Sequence, residues 1–201
     1  MPRGQAVDGV RAARGSGRLE AMSLLTLGHG ALDADEVVSL LTSARVSLLV
    51  DVRRHPGSRR HPQFRKAAMV EWLGAAGVAY RWEEELGGRR TVPTGSPDTA
   101  LGDALRGYAA HMRGPAFAAA LDRVLAAAGA EVVAVCCAEA DWRRCHRRLL
   151  ADAVTVLRDV PVTHLRHDGQ TEPHEAHPAA RRGPDGLVYG AHAEPSLPGL
   201  A

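Results

Sequence analysis

Apolar residues along the chain gather in short blocks of two kinds. Residues 24–27, 46–51, 78–82, 131–137 and 161–166 are near-continuous apolar runs rich in Leu and Val, the pattern of strands covered on both faces. Between them, residues 32–44, 65–76, 101–112, 115–128 and 145–157 repeat apolar positions at helical spacing. Local signals agree with these spans: Asp33 followed by Glu36 makes a capping box, Gly77 stops the second helix, and Pro115 sits where a helix tolerates it best, at the start. Strands alternating with helices predict an α/β fold, a single compact domain with a mostly parallel sheet of about five strands and helices on both faces. Residues 1–22 and 171–201 are rich in Gly, Pro and Arg without apolar periodicity, so both are expected to be flexible extensions of a domain at 23–170. Residues 86–99 form a Gly/Pro/Thr-rich loop too long for a simple connector, either functional or mobile.

Composition narrows the setting. A length of 201 residues suits one well-buried domain, and an apolar share of 45%, mostly Ala, Leu and Val, supplies its core. No run of about 18 apolar residues occurs, and the start carries Arg and Gly where a secretory signal needs an apolar stretch, so a cytoplasmic protein with no membrane partner is expected. Three cysteines, two of them adjacent, make a poor disulfide framework and read as reduced thiols. The formal charge of +2 does not argue for nucleic acid, but its distribution is uneven. Residues 53–66 hold six Arg or Lys and two His without an acid, and RRCHRR places four Arg around Cys145 and His146.

In open α/β sheets, ligands bind outside the carboxyl ends of the strands. That rule brings together Gly28-His29-Gly30, Asp51-Val52-Arg53, Cys137-Ala138-Glu139 and Cys145-His146-Arg147. Cys145, expected at a helix start among arginines, is a candidate nucleophile; the alternative is a small buried residue beside a solvated Arg face. Cys137, Glu139, Cys145, His146 and His29 are also metal-ligand types, but C-x-E-x5-C-H is not a recognised finger spacing, so no metal is assigned. Cys136 alternates with Cys137 and reads as core. Asp51 is a general base, an orienter of His29, or half of a structural ion pair with Arg53; Arg53 and Arg147 are candidates to grip a phosphate or carboxylate. The basic loop, with Phe64 and Tyr80 near it, is a candidate to hold a nucleic-acid backbone and stack a base, or a solvated surface. Glu83–Glu85 can pair with these arginines or form a surface run.

With these segments assembled, the chain resembles the bacterial and archaeal family called domain of unknown function 488, over about residues 24–170. TLGHG stands for the family's T-I-G-H-S opening, LLVDVRRHPGSRRHPQF for its D-V-R…P-x-S-R…P-x-F segment, AYRWEEELGGRR for its Y…L-G-G stretch and CAEADWRRCHRR for its C-x-E…C-H-R signature. The resemblance implies a compact α/β domain and brings no established activity. It maps onto His29, Asp51, Arg53, Pro56, Ser58, Arg59, Phe64, Leu86, Gly87, Gly88, Cys137, Glu139, Cys145, His146 and Arg147, and departs at Gly30, where the family usually has Ser.

Two functions fit. One is an enzyme acting on a nucleotide, nucleic acid or other phosphate-bearing substrate, with Cys145, His146, Glu139, His29 and Asp51 catalytic and Arg53, Ser58, Arg59, Phe64 and Arg147 holding the anion. The other is a non-catalytic nucleic-acid-binding or regulatory module using the same arginines, with or without a structural metal. The sequence names no cofactor and leaves the oligomeric state open.

Overall fold

The computed structural model describes residues 22–58 and 60–190. Six strands, β1 (Leu24–Gly28), β2 (Leu48–Asp51), β3 (Ala79–Trp82), β4 (Val133–Cys137), β5 (Val162–Leu165) and β6 (Thr171–Pro173), form one sheet in the order β3-β2-β4-β1-β5-β6. All neighbours pair in parallel except β5 and β6, which are antiparallel. The central β2 and β4 are buried at every residue, which is why they read as unbroken apolar runs, whereas the edge strand β3 is half exposed.

Helices cover both faces and divide the core in two. Helix α1 (Ala34–Ser43) and α2 (Lys66–Ala75) bury Val37, Leu41, Met69 and Leu73 against Leu27, Leu49 and Ala134. Helix α3 (Asp103–Met112), α4 (Pro115–Ala128) and α5 (Arg147–Asp152) bury Tyr108, Phe117, Leu121 and Leu149 against Val50, Val133 and Val135 on the other face. Helix α5 runs on as a π-helical stretch, Ala153–Leu157. The capping box of α1 forms as expected, Asp33 and Glu36 each accepting from the other's backbone N–H at 2.8 Å.

The neighbouring strands β1 and β4 send their next helices, α1 and α5, to opposite faces. This divergence opens a crevice between their carboxyl ends, the place where sheets of this kind put their chemistry.

The five expected strands all form, with β6 added to their sheet. The tail from 171 onward, expected to be flexible, instead carries strands as far as Tyr189. Strand β6 joins the main sheet, and β7 (Ala180–Gly183) and β8 (Gly186–Tyr189) form an antiparallel hairpin. What ties this segment down is not apolar periodicity but a few anchors. Leu187 and Tyr189 are buried, the Tyr189 hydroxyl donates to Asp152 at 2.9 Å, and the Asp98–Arg113 pair holds the Tyr189 N–H and the Leu187 carbonyl. The expected extension at 1–22 and residues 191–201 lie almost wholly outside the described residues. Among the described residues no helix is long and apolar enough to cross a membrane.

Candidate thiol site at the strand ends

Two buried polar clusters stand at the carboxyl ends of the strands. The first is built on β1 and β2. Asp51 is fully buried and takes both Nε and a terminal nitrogen of Arg53, at 2.8 and 2.5 Å, together with the Arg53 N–H and the Tyr80 hydroxyl. The remaining Arg53 nitrogen lies 3.4 Å from His29 Nε2, and the terminal nitrogen that donates to Asp51 also lies 3.0 Å from Met69 Sδ. His29 donates from Nδ1 to the Gly30 carbonyl, which leaves Nε2 to accept from Arg53, and it stacks on Phe64 with ring centroids 3.8 Å apart. Burial, then the Arg53 charge, hold His29 down at about 4, so the ring is neutral at physiological pH.

The second cluster joins β4 to α5. Cys137 Sγ and Cys145 Sγ lie 2.9 Å apart, and all three cysteines are free. Arg147 is only 1% exposed. Its Nε donates to Cys137 Sγ at 3.0 Å, one terminal nitrogen to Thr26 Oγ1 at 3.0 Å, and the other to the Glu139 and Ala140 carbonyls at 2.6 and 3.2 Å. No carboxylate faces it among the described residues. A buried guanidinium without an anion is costly, so the thiol pair beside it is where negative charge is most stabilised. His146 donates from Nε2 to the Val52 carbonyl at 3.0 Å, which turns the Nδ1 lone pair toward Cys145 Sγ at 3.5 Å. The Arg147 backbone N–H, at the start of α5, also points at Cys145 Sγ, at 3.5 Å. Hydrogen bonding from Cys137, with help from Arg147, lowers Cys145 to about 7 against the pull of burial, while burial pushes Cys137 well up. Cys136, on the opposite side of the strand, is pushed up to about 12 by burial. The proton of the pair therefore rests on Cys137 and the charge on Cys145.

Two glycines make this approach possible. A Cβ at Gly28 would sit 1.7 Å from the Glu139 carbonyl oxygen and 2.4 Å from an Arg147 nitrogen, and one at Gly88 would sit 2.9 Å from His146 Nδ1. The Leu-Gly-Gly segment thus lies directly over the imidazole, and the Tyr108 ring meets it edge to face at 5.1 Å.

The sequence-derived site residues divide accordingly. Cys145, His146 and Arg147 come together with Cys137, and His29, Asp51, Arg53 and Phe64 come together in the other cluster. Neither Arg53 nor Arg147 offers the open grip on an anion expected of it, because carboxylate, carbonyl, hydroxyl and sulfur already occupy their hydrogens. Phe64 is fully buried and has no free face for a base. Ser58 Oγ accepts the His61 N–H at 2.9 Å and shapes the basic loop instead. Glu139 contributes its carbonyl to Arg147, and the residue is exposed. Arg59 lies outside the described residues. Of the two readings of Glu83–Glu85, pairing with the basic-loop arginines or a surface run, neither describes Glu83, which is buried and bonded by Arg123. Among the described residues no group of three or more His, Cys, Asp or Glu is placed to hold a metal ion.

Sequence reasoning missed a chain of buried polar residues leading away from Arg147. Thr26 Oγ1 lies 2.7 Å from His164 Nδ1, His164 Nε2 lies 3.1 Å from His174 Nδ1, and His174 Nε2 lies 2.8 Å from Asp152. Trp142 stacks on His164 with centroids 4.0 Å apart, and burial holds His164 down at about 3. A His inside the apolar β5 and an Asp inside the apolar stretch of α5 were the available signals.

A doubly covered parallel sheet with a buried Cys-Cys-His-Arg cluster at its switch point defines an α/β protein with a thiol centre. The chain belongs to the family described as Domain of unknown function DUF488, which matches residues 33–154, more than half of its length. No curated protein and no solved structure matches it.

Proposed function

We propose that the protein is a thiol-dependent enzyme acting on a small phosphate-bearing or otherwise anionic substrate, with Cys145 as the thiolate nucleophile and His146, whose Nδ1 faces it, positioned to exchange protons with the substrate. The observation that carries this reading is Arg147, a buried cation whose nearest ionisable groups are two thiols, one of them Cys145, which sits in the turn just before α5 and faces the Arg147 backbone N–H. Arg147 and Arg53 act here as positioning residues. The substrate's charge is met by the arginines at the surface around the site, Arg54, Arg89 and Arg144; Arg54 donates to the Arg89 carbonyl beside the Gly-Gly segment, and Arg144 precedes the nucleophile. A cavity of about 500 Å³ lined by Arg90, Thr91, Pro93, Gly107, Ala110 and His111 lies one ring, Tyr108, away from His146 and offers the substrate a recess. Cys145 is 2% exposed, so a substrate reaches it only when the residues packed over it move. Free thiols fit a reducing, cytoplasmic compartment. A nucleic-acid-binding module is disfavoured because Arg53, Arg147 and Phe64 all turn inward.

Competing electrophiles test this. Iodoacetate, an anion, should label Cys145 faster relative to iodoacetamide than it labels a free thiol, and a nucleoside monophosphate should protect. Arg144→Ala should reduce the preference. Equal or slower labelling by iodoacetate, unaffected by the nucleotide, would overturn the anionic substrate.

A further inference from the structure

The proposed nucleophile leaves the second sulfur unused. Cys137 is not needed to hold the sheet end, since its backbone is already paired with Gly28 and its carbonyl accepts the His29 N–H. Its Sγ faces Cys145 Sγ at 2.9 Å with no atom between them, and Arg147 bonds it from the other side. The two thiols come from separate elements, the end of β4 and the turn before α5, so they can approach without unfolding either. Among the described residues no other two sulfurs are paired by a hydrogen bond. Both residues are 2% exposed, and Gly88 and the Tyr108 ring close against the neighbouring His146. Such burial favours an oxidant of a few atoms over a bulky one.

We infer that Cys145 and Cys137 form a two-thiol centre that reduces small hydroperoxides and closes into a disulfide in doing so. This rests on the reading of Cys145 as the thiolate. Cys145 Sγ attacks the nearer peroxide oxygen, the O–O bond breaks, and the departing hydroxide takes a proton to leave as water, giving a sulfenic acid on Cys145. The Cys137 sulfur then attacks the Cys145 sulfur, the S–O bond breaks, and a second water leaves with the Cys137 proton. Two thiols are oxidised by one peroxide, and a small dithiol reductant restores both by exchange. Arg147 serves both steps, stabilising the thiolate before each bond forms.

The test treats the reduced full-length protein with one equivalent of hydrogen peroxide and maps the peptides without reduction. A single intramolecular link between Cys137 and Cys145, reversed by dithiothreitol, is the expected result, with Cys136 untouched. In Cys137→Ser the reaction should stop at a sulfenic acid on Cys145 that dimedone traps. Absence of the link in the wild type, a link through Cys136, or over-oxidation of Cys145 despite an intact Cys137 would overturn the inference. Iodoacetamide labelling of the same reduced sample across pH separates the two failures. An inflection near 7 at Cys145 without the link sinks only the disulfide, and no inflection there sinks the thiolate as well.

Discussion

Arg53 and Arg147 are both buried arginines at the carboxyl end of one sheet, and their partners make them different devices. Arg53 meets a carboxylate. Its fork closes on Asp51, so the charge is cancelled within two residues and the pair fixes the turn after β2, His29 and the Phe64 loop. Arg147 meets two carbonyls, a hydroxyl and a sulfur, none of which cancels its charge unless a thiol ionises. The lesson is that a buried cation with its own anion builds structure, and a buried cation without one tunes a neighbour. The same residue type, in motifs the sequence could not rank, does either according to what faces it.

The largest expected effect breaks the first pair. Asp51→Asn leaves Arg53 buried without its anion and should cost roughly 3–5 kcal/mol in denaturant unfolding. Combining it with Arg53→Met should recover part of that loss, while the pH profile of Cys145 labelling stays in place. If Asp51→Asn instead shifted that profile, the two clusters would be one.

Next comes Arg147→Lys, which keeps a charge and gives up the planar fork. It should destabilise by about 2 kcal/mol, from donors lost to buried acceptors, and raise the Cys145 inflection. An unchanged inflection would assign the thiol's acidity to the Cys137 hydrogen bond and the helix start.

A smaller effect concerns acid. His29 and His164 stay neutral in the folded protein down to about 4 and about 3, while in the unfolded chain they bind protons below about 6.5. Between these limits the unfolded state holds more protons, so stability is complete above pH ~6.5 and falls as the pH drops toward 4. Thermal unfolding across this range should show the decline, and His164→Gln should flatten it. A flat profile in the wild type would mean that both rings are protonated when folded. The smallest effect is at the surface, where Arg144→Ala should change stability by less than about 0.5 kcal/mol and be felt only in anion preference.

The strand-end rule placed both clusters correctly from sequence because it depends only on element order, which the apolar blocks made plain. Helix α4 (Pro115–Ala128) was legible to the residue because Pro115 and a regular apolar face mark it. What could not be read was direction. Spacing puts Arg53 two residues from Asp51 but does not say whether the fork turns inward, and the partners of Arg147 include Thr26, distant in sequence. The hairpin of β7 and β8 escaped because hydrogen bonds to Asp98 and Asp152, not a periodic apolar face, hold it. Cys137 could be placed on its strand, but its pairing with Cys145 depends on the turn through Trp142–Arg144 that brings the chain back, and that turn carries no periodicity.

The central claim is that the hydrogen bond from Cys137, with the uncancelled charge of Arg147, makes Cys145 anionic near neutrality. The rate of iodoacetamide labelling at Cys145, followed peptide by peptide from pH 5 to 10, tests it most directly. The account predicts an inflection near 7 at Cys145 and none at Cys136 below pH 10. An inflection at or above the free-thiol value of about 8.5 would contradict it.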